Sequence, residues 1–399
     1  MAGVVTNWNY PTSVRIGAGR VRDLPEALEA AGIARPLVVT DAGLAGMAMT
    51  QAMLDVLRTG KKTFEVFSEV RPNPVASSVA AGVESYRRGG HDGVVAFGGG
   101  SALDAGKLIA FMAGQVLAVW EFEDIGDRWR RADAAGIAPV VAVPTTAGTG
   151  SEVGRAGVIT DEATRTKKVI FHPGMMPKIA ILDPELTVGM PAAVTAGTGM
   201  DALAHCLEAY CSPSYHPMAA GIAVEGMRLV FEYLPRAFED GGDLEARLGM
   251  MSAAAMGASA FQKGLGAIHS LSHPVGALYD THHGMTNAVF MPYVLTMNRP
   301  AIEAKIGRAA AYLGFGGTFE AFLEAVLTLR EKLGVPHTLA QFGVPGERRM
   351  EIAEMAIVDP TAGGNPVELT RERALELFDR AMAGRVQRPG SGGIPCHLG

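Results

Sequence analysis

The sequence predicts an α/β nucleotide-binding domain followed by an all-α domain. Short β-branched runs alternate with helical patterns up to about residue 187, glycine-rich turns follow two of these runs, and the β runs then disappear. Beyond that point, apolar residues recur at spacings of three and four, which is typical of packed helices. We expect a dinucleotide-binding domain over residues 1–187, a helical domain over 188–385 and a loosely ordered tail over 386–399.

Composition limits the class of protein. The chain has 399 residues, 48% hydrophobic and 19% charged, which is enough to bury two substantial cores. Its net charge of -6 provides no broad basic field, so nucleic acid and anionic membrane are poor partners. The three cysteines form no CxxC spacing, which favours a reducing cytoplasm. No signal peptide and no apolar run of membrane-spanning length is expected.

Five apolar runs in the first half are interpreted as strands. They are PLVVT (36–40), FEVF (64–67), GVVAFGGG (93–100), PVVAVPTT (139–146) and KIAILDP (178–184). Because these runs are apolar on both faces and separated by helical patterns, they predict a parallel sheet covered on two sides.

Three glycine clusters are candidates for binding a phosphate. They are GAGRVR (17–22), GGGSALDAGK (98–107) and TTAGTGSEV (145–153). In none of them is the third glycine of the GxGxxG dinucleotide fingerprint present, and no GxxxxGK[ST] loop occurs. The clusters therefore have to be judged by their position relative to the strands.

The second cluster connects a buried strand to a helix. Gly98, Gly99 and Gly100 allow backbone amides to approach a pyrophosphate, and Ser101 can cap the helix whose N-terminus attracts anions. A tight turn with no ligand has the same composition, so both interpretations stay open at this point.

Hydroxyl groups and one carboxylate follow two other strands. The third cluster carries Thr145, Thr146, Thr149 and Ser151. Such groups at the C-terminal ends of parallel strands commonly hold ligands, although a solvated loop is the alternative. Asp41 directly follows the first of the five runs, PLVVT, where a carboxylate can bind a ribose diol and repel a 2′-phosphate. Its alternative role is the N-cap of the next helix.

Two pairs of residues in the second half have the spacing of metal ligands. DALAH places Asp201 and His205 four residues apart on one helix face, and HSLSH does the same for His269 and His273. Imidazoles with a carboxylate and no thiolate suit divalent Fe, Zn, Ni or Co better than a structural zinc. Satisfied core histidines are the alternative, and the absence of HExxH argues against a metalloprotease.

Four motifs together resemble the iron-containing (group III) alcohol dehydrogenases. They are GGGSxxDxxK, PTTAGTGSE, DALAH, and HxxxHPxGA followed ten residues after its second histidine by HG. The resemblance extends from the N-terminal strand to about residue 372. It implies the dehydroquinate-synthase-like fold, with the active site in a cleft between the α/β and helical domains.

The resemblance also assigns residues. It implies Asp201, His205, His269 and His283 as ligands of one divalent ion, with His273 near the nicotinamide on a proton path. His282 is left as a bystander, because His283 directly precedes the glycine of the motif. The positions implied as cofactor contacts are Asp41, Asn73, Gly98, Gly99, Gly100, Ser101, Asp104, Thr145, Thr146 and Lys167, to which Thr149 and Ser151 are added from the residue pattern.

The implied activity is reversible hydride transfer between a small primary alcohol, or its aldehyde, and NAD, with NADP less favoured because of Asp41. Fe(II) is the expected metal, with Zn(II) and Ni(II) as alternatives. A homodimer or larger homo-oligomer is expected, formed through a strand over residues 9–17. Two other functions are kept: a hydroxyacid-oxoacid transhydrogenase on the same fold, and a non-catalytic cofactor-binding protein.

Overall fold

A six-stranded parallel sheet organises the first half of the chain in the computed structural model, which describes residues 10, 12–164 and 166–386. The strands in chain order are β1 (Ser13–Ile16), β2 (Pro36–Asp41), β3 (Glu65–Val70), β4 (Gly93–Gly98), β5 (Val140–Pro144), β6 (Ala156–Asp161), β7 (Thr166–Phe171) and β8 (Ile179–Leu182). The order across the large sheet is β1-β8-β5-β4-β2-β3, and all its pairs are parallel. The five predicted strands are all present.

Both faces of the sheet are covered, as the continuous apolar runs predict. In β4, Val94 and Ala96 point into one hydrophobic cluster, and Val95 and Phe97 point into another on the opposite face. This alternation follows from the two-residue period of a strand. Every residue of β4 is buried.

The sequence reasoning missed one hairpin. β6 and β7 pair with each other in an antiparallel sheet of two strands. Buried and half-buried residues alternate along β6, and only Ile170 is fully buried in β7. A search for runs that are apolar on both faces does not detect such strands, because polar residues interrupt them, as in the TKK that begins β7.

Helices flank the sheet and then dominate the chain. They are α1 (Leu24–Ala30), α2 (Ala42–Ala45), α3 (Ala48–Thr59), α4 (Ala76–Gly89), α5 (Gly100–Met112), α6 (Ala192–Cys211), α7 (Pro217–Glu239), α8 (Leu244–Ala260), α9 (Ala267–Tyr279), α10 (His283–Tyr312), α11 (Phe319–Lys332), α12 (Arg349–Ile357) and α13 (Arg371–Ala383). The α/β half and the all-α half are thus confirmed. In the described part of the chain, no helix is long and apolar enough to cross a membrane.

The chain divides into two units by its internal contacts. The α/β unit contains Tyr10–Met190 together with Gly242–Met251, and the helical unit contains Pro191–Gly241 and, among described residues, 252–386. Within the helical unit, α6 packs against α7 and α10, and α9 packs against α10 and α12. Nearly all of α6 from Thr195 onward is buried, which places its polar residues in the core.

Two predictions concern the ends of the chain, and the structure describes only part of each segment. The predicted tail over 386–399 falls outside the described residues from 387 onward. Of the predicted strand over 9–17, residues 9 and 11 also lie outside them. The described part, β1, lies at one edge of the sheet, and its Val14 and Ile16 are 38% and 43% exposed. An edge strand of this kind is compatible with self-association, which stays a prediction.

Candidate metal and cofactor sites

Helix α6 places three polar side chains on one buried face. Asp201, His205 and Glu208 are separated by four and three residues, so their side chains lie above one another along the helix. All three are at least 94% buried. Buried charged groups of this kind require partners, and the other helices of the unit supply them.

Histidines from α9 and α10 converge on Asp201. The Nε2 atoms of His205, His269 and His283 lie 3.8, 3.7 and 3.6 Å from the same oxygen, Oδ1 of Asp201. Ligand atoms of Asp201, His205 and His269 all lie within 4.8 Å of one another. Three imidazoles that point their Nε2 atoms at one carboxylate form a typical divalent-cation donor set.

The spacing of these atoms fits one cation. Metal–nitrogen and metal–oxygen bonds of about 2.0–2.2 Å in a tetrahedral site put neighbouring ligand atoms roughly 3.4 Å apart. The separations of the three Nε2 atoms from Oδ1 of Asp201, 3.6–3.8 Å, are close to this value. The described structure thus brings together the four residues that the motifs single out as metal ligands.

Charge in this cluster also favours a cation. Burial alone would raise the pKa of Asp201, but the neighbouring His205, His283 and His269 hold it well below its ordinary value. Burial lowers the pKa of His269, yet its contacts with Asp201 and Glu208 outweigh this effect and raise that pKa to about 9. Asp201 therefore stays ionised and supplies the negative charge that a buried divalent ion needs.

Two side chains that the sequence reasoning did not select contact the ligands. Oε2 of Glu208 accepts a hydrogen bond from Nδ1 of His269 at 2.6 Å. Nδ2 of Asn287 donates to Oδ1 of Asp201 at 2.8 Å and lies 3.2 Å from Nε2 of His283. The signals were available, because Glu208 follows His205 by three residues and Asn287 follows His283 by four.

His273 lies on the more exposed side of the cluster. Its ring stacks on that of His283, with centroids 5.3 Å apart and planes 14° apart. Its Nδ1 donates to Oδ2 of Asp359 at 2.8 Å, which leaves Nε2 as the proton acceptor. Side-chain exposure is 18% for His273 and 26% for His283, against 2% for His269. The cluster is therefore least buried on the side of His273 and His283.

Asp359 is a third functional candidate that the sequence reasoning missed. It follows α12, and the backbone amide and hydroxyl of Thr361 both donate to its Oδ1. Burial by itself would raise the pKa of Asp359, but the contacts with His273 and Thr361 have the larger effect, and the pKa lies below its ordinary value. Asp359 is therefore held as an ionised acceptor for the ring of His273.

A close helix contact explains the glycine that follows His283. A Cβ on Gly284 would lie 2.0 Å from the carbonyl oxygen of Gly197 in α6. Only glycine allows α10 to begin this close to α6, beside Asp201. The neighbouring His282 caps α10, since its Nδ1 accepts the amide of Met285 at 3.3 Å. In this structure His282 therefore caps a helix, and its assignment as a bystander stays a prediction.

In the α/β unit, the two later glycine clusters lie side by side. They follow the adjacent strands β4 and β5, and Thr145 N–H donates to the carbonyl of Gly98 at 2.9 Å. A Cβ on Gly100 would lie 2.5 Å from Cγ2 of Thr149, and one on Gly99 would lie 3.3 Å from Thr146. Gly98 has a φ of 144°, a value that also favours glycine. The predicted residues of both clusters therefore lie side by side at the C-terminal ends of two neighbouring parallel strands.

The proposed cap of α5 is corrected. The N-cap is Gly99, with no side-chain hydrogen bond, and Ser101 is the second residue inside the helix. The glycine run lets the helix begin earlier than a serine cap would allow. The first amides of α5 therefore have no side-chain cap from the N-cap residue, which suits an anion at this helix end.

Two predicted cofactor residues, Asp104 and Ser151, bond to each other. Oδ1 of Asp104 accepts the hydroxyl of Ser151, and its Oδ2 accepts the amide of Val158 at 2.9 Å. Lys107 lies 3.1 Å from the same carboxylate. In this structure Asp104 therefore ties the loop after β5 to β6, which positions the loop for any ligand.

Asn73 and Lys167 are also brought together. Lys167 Nζ donates to Oδ1 of Asn73 at 2.8 Å, across 94 positions in sequence. Its neighbour Lys168 instead pairs with Asp161 at 2.9 Å and lies over the ring of Trp120. The two lysines thus have different partners, and only Lys167 contacts another predicted cofactor residue.

Asp41 and the first glycine cluster have local structural roles. Oδ1 of Asp41 accepts the amide of Leu44 at 2.9 Å, so Asp41 is the N-cap of α2 at the C-terminal end of β2. In the first cluster, the amides of Gly19 and Val21 donate to the carboxylate of Asp183. That cluster is therefore an internal turn. Asp41 lies beside the second cluster, since a Cβ on Gly98 would be 3.6 Å from its Oδ2.

Comparison with known proteins shows which family the chain belongs to. The model of the iron-containing alcohol dehydrogenase family matches residues 11–184, and that of the Fe-containing alcohol dehydrogenase family, C-terminal, matches residues 195–382. The chain belongs to this family. It is 40% identical over 387 residues to 4-hydroxybutyrate dehydrogenase of Cupriavidus necator, covering 94% of this chain and 99% of that relative.

Two further family members extend the comparison. The chain is 33% identical to the NAD-dependent methanol dehydrogenase of Bacillus methanolicus, covering 95% of this chain and all of that one. It is similar to the crystal structure of a 1,3-propanediol oxidoreductase, with a TM-score of 0.90 and 33% identity, covering 95% of this chain and all of that chain. The chain is therefore an alcohol oxidoreductase, and its family supports a nicotinamide and a metal as cofactors.

Proposed function

We propose that the protein catalyses reversible hydride transfer between a small primary alcohol, or its aldehyde, and NAD. The observation that carries the proposal is the buried cluster of Asp201, His205 and His269, joined by His283 on its more exposed side. We propose Fe(II) as the metal, because the family is described as iron-containing. The same donors also accept Zn(II) or Ni(II). A metal bound there supplies Lewis-acid polarisation of the alcohol oxygen.

The protein's own groups direct the reaction. The burial of His205 and His269 keeps water from one side of the cluster, so that substrate enters beside His283 and His273. His273 holds its proton on Nδ1 through Asp359, and its Nε2 can accept the proton that the alcohol loses. We assign His273 as the proton-relaying residue on this basis.

The α/β unit is proposed to hold NAD through backbone groups. Amides at the start of α5 are suited to the pyrophosphate, and the glycine clusters after β4 and β5 leave room for it. The remaining predicted contacts, Asn73 and Lys167, lie in the same unit. Asp41 at the end of β2 is proposed to bind the ribose diol.

The choice between NAD and NADP tests the role of Asp41. In Asp41→Asn the amide oxygen still caps α2, but the charge that opposes a 2′-phosphate is lost. We expect the ratio of kcat/KM for NAD to that for NADP to fall by about tenfold or more. An unchanged ratio, or a wild-type preference for NADP, would refute the assignment of Asp41.

One experiment tests the reaction itself. Protein reconstituted separately with Fe(II), Zn(II) and Ni(II) is assayed with NAD and a panel of alcohols and aldehydes. The panel includes methanol, 1,3-propanediol and 4-hydroxybutyrate, because relatives and a structural neighbour are named for these. Steady turnover with free NAD and a simple alcohol is the expected result, and it would argue against obligatory transhydrogenation with a tightly held cofactor.

Binding of NAD without turnover would have the opposite meaning. If calorimetry detects NAD binding but no member of the panel is turned over with any of the three metals, the proposed activity is refuted. The non-catalytic cofactor-binding function would then explain the glycine loops and the histidine cluster better than the present proposal.

A further inference from the structure

Glu208 has two oxygens with two different partners. Oε2 accepts the Nδ1 proton of His269 at 2.6 Å, and Oε1 accepts the backbone amide of Ile268 at 2.6 Å. The carboxylate is 94% buried, since its exposure is only 6%. One side chain of α6 thus contacts both the ring of a proposed metal ligand and the backbone of the helix that carries it.

The start of α9 has no cap of its own. Its N-cap residue is Gly266, and the first amide, that of Ala267, donates to Oδ1 of the distant Asn365 at 3.1 Å. A Cβ on Gly266 would lie 2.7 Å from that oxygen and 3.1 Å from Oε1 of Glu208. Glycine therefore lets Asn365 and Glu208 reach the amides that a side-chain N-cap normally satisfies.

We propose that Glu208 is a positioning residue that prepares His269 for the metal. By accepting the Nδ1 proton, it leaves Nε2 of His269 as the coordinating atom directed at Asp201, and by capping α9 it holds the backbone of that histidine in place. The inference rests on the proposed metal site. Carboxylates that orient ligand histidines commonly contribute about 10–100-fold to metal affinity.

Replacement by glutamine separates the two roles. A glutamine has one acceptor oxygen, so it can satisfy either the amide of Ile268 or the Nδ1 proton of His269. The backbone amide cannot move its proton, whereas an imidazole can carry its proton on either nitrogen. The amide NH2 therefore faces Nδ1, the ring of His269 takes its proton on Nε2, and the atom that should bind the metal is blocked.

The experiment measures Co(II) binding by the full-length chain, with Co(II) alone as the probe. Affinity is obtained by competition with a chelating dye, ligand geometry from the visible absorption of bound Co(II), and stability from the thermal midpoint of the metal-free protein. For Glu208→Gln we expect about 10–100-fold weaker Co(II) binding and an altered spectrum, with little change in the midpoint. Glu208→Asp keeps a carboxylate and should bind Co(II) more tightly than Glu208→Gln.

Asn365→Ala is the matched control. It removes an acceptor from the same helix end but does not touch His269, so it should lower the thermal midpoint and leave Co(II) affinity within roughly threefold. If Glu208→Gln binds Co(II) as tightly as wild type, the role of Glu208 is refuted while the metal site stands. If wild type binds no Co(II), or His269→Ala binds as well as wild type, both proposals fail.

Discussion

The two units specify their candidate sites in different ways. In the helical unit, side chains project from α6, α9 and α10 towards Asp201, and Glu208 and Asn287 contact them from neighbouring positions on the same helices. In the α/β unit, predicted side chains such as Asp104 and Ser151 bond to each other, and bare glycines line the loops after β4 and β5.

This difference follows from the ligands. A divalent cation is recognised by a few side-chain atoms at fixed distances, so each ligand and its orienting partner matter individually. A pyrophosphate is recognised largely by backbone amides, so the absence of side chains at Gly98, Gly99 and Gly100 matters more than the presence of any one. Removing atoms should therefore damage the helical site, whereas adding atoms should damage the α/β site.

The largest effect is expected for the double variant His269→Ala and His283→Ala. Loss of two of four ligands should abolish metal binding and lower kcat/KM by on the order of 10³-fold or more, because the Lewis acid is lost. Metal content by elemental analysis and steady-state kinetics provide the measurements. His282→Asn, next to a ligand but able to keep the cap of α10, is the control. Full activity in the metal-depleted double variant would contradict the metal mechanism.

A smaller effect is expected for Asp359→Asn, which keeps the shape of the side chain. The amide can donate to Nδ1 of His273 and so place the ring proton on Nε2, where it blocks proton acceptance. We expect kcat to fall by about 10²-fold with unchanged metal content and a smaller change in KM. Asp379→Asn, at an exposed carboxylate, is the control. An unaltered kcat would show that the contact with Asp359 does not matter for turnover.

In the α/β unit, adding one methyl group should impair cofactor binding. Gly100→Ala would place Cβ against Cγ2 of Thr149, and we expect KM for NAD to rise by about tenfold. Thr149→Ala should offset part of this loss in a double-mutant cycle, because it removes the clashing atom. Gly46→Ala, where nothing lies within 4 Å, should leave KM unchanged. Independent effects of the two substitutions would contradict the steric explanation.

The smallest effect concerns a buried carboxylate that lacks the histidine partners of Asp201. Burial raises the pKa of Glu152 from 4.5 to about 7, and the charge of Lys107 opposes this shift only in part. Because the folded pKa is raised, the stabilisation is present below about pH 4.5 and is lost as pH rises through about 7. The total loss is roughly 3–4 kcal/mol.

Glu152→Gln removes this titration. The variant should be more stable than wild type at pH 8 and should lose less stability between pH 5 and pH 8, as measured by thermal midpoints. Glu84→Gln, at an exposed position on α4, should keep the wild-type pH dependence. If Glu152→Gln keeps that dependence as well, Glu152 is ionised in the folded protein, and the contrast between the buried carboxylates of the two units disappears.

Sequence periodicity predicted much of this architecture. Five of the six strands of the large sheet were recognisable because a two-sided sheet demands continuous apolar runs. The hairpin of β6 and β7 was not, because polar residues interrupt its strands. The pairing of Asp201 with His205 followed from the helical repeat alone. The four-ligand set and the role of His273 came from the resemblance of the motifs to a family.

The sequence by itself thus determined which residues share a strand face, a helix face or a loop, because those relations depend on local geometry. Only the tertiary structure decided that Glu208 meets His269 across 61 positions, Asp359 meets His273 across 86 and Lys167 meets Asn73 across 94. Such contacts depend on how helices and strands pack, which no local period encodes. That packing turns separate motifs into oriented ligands and supported loops.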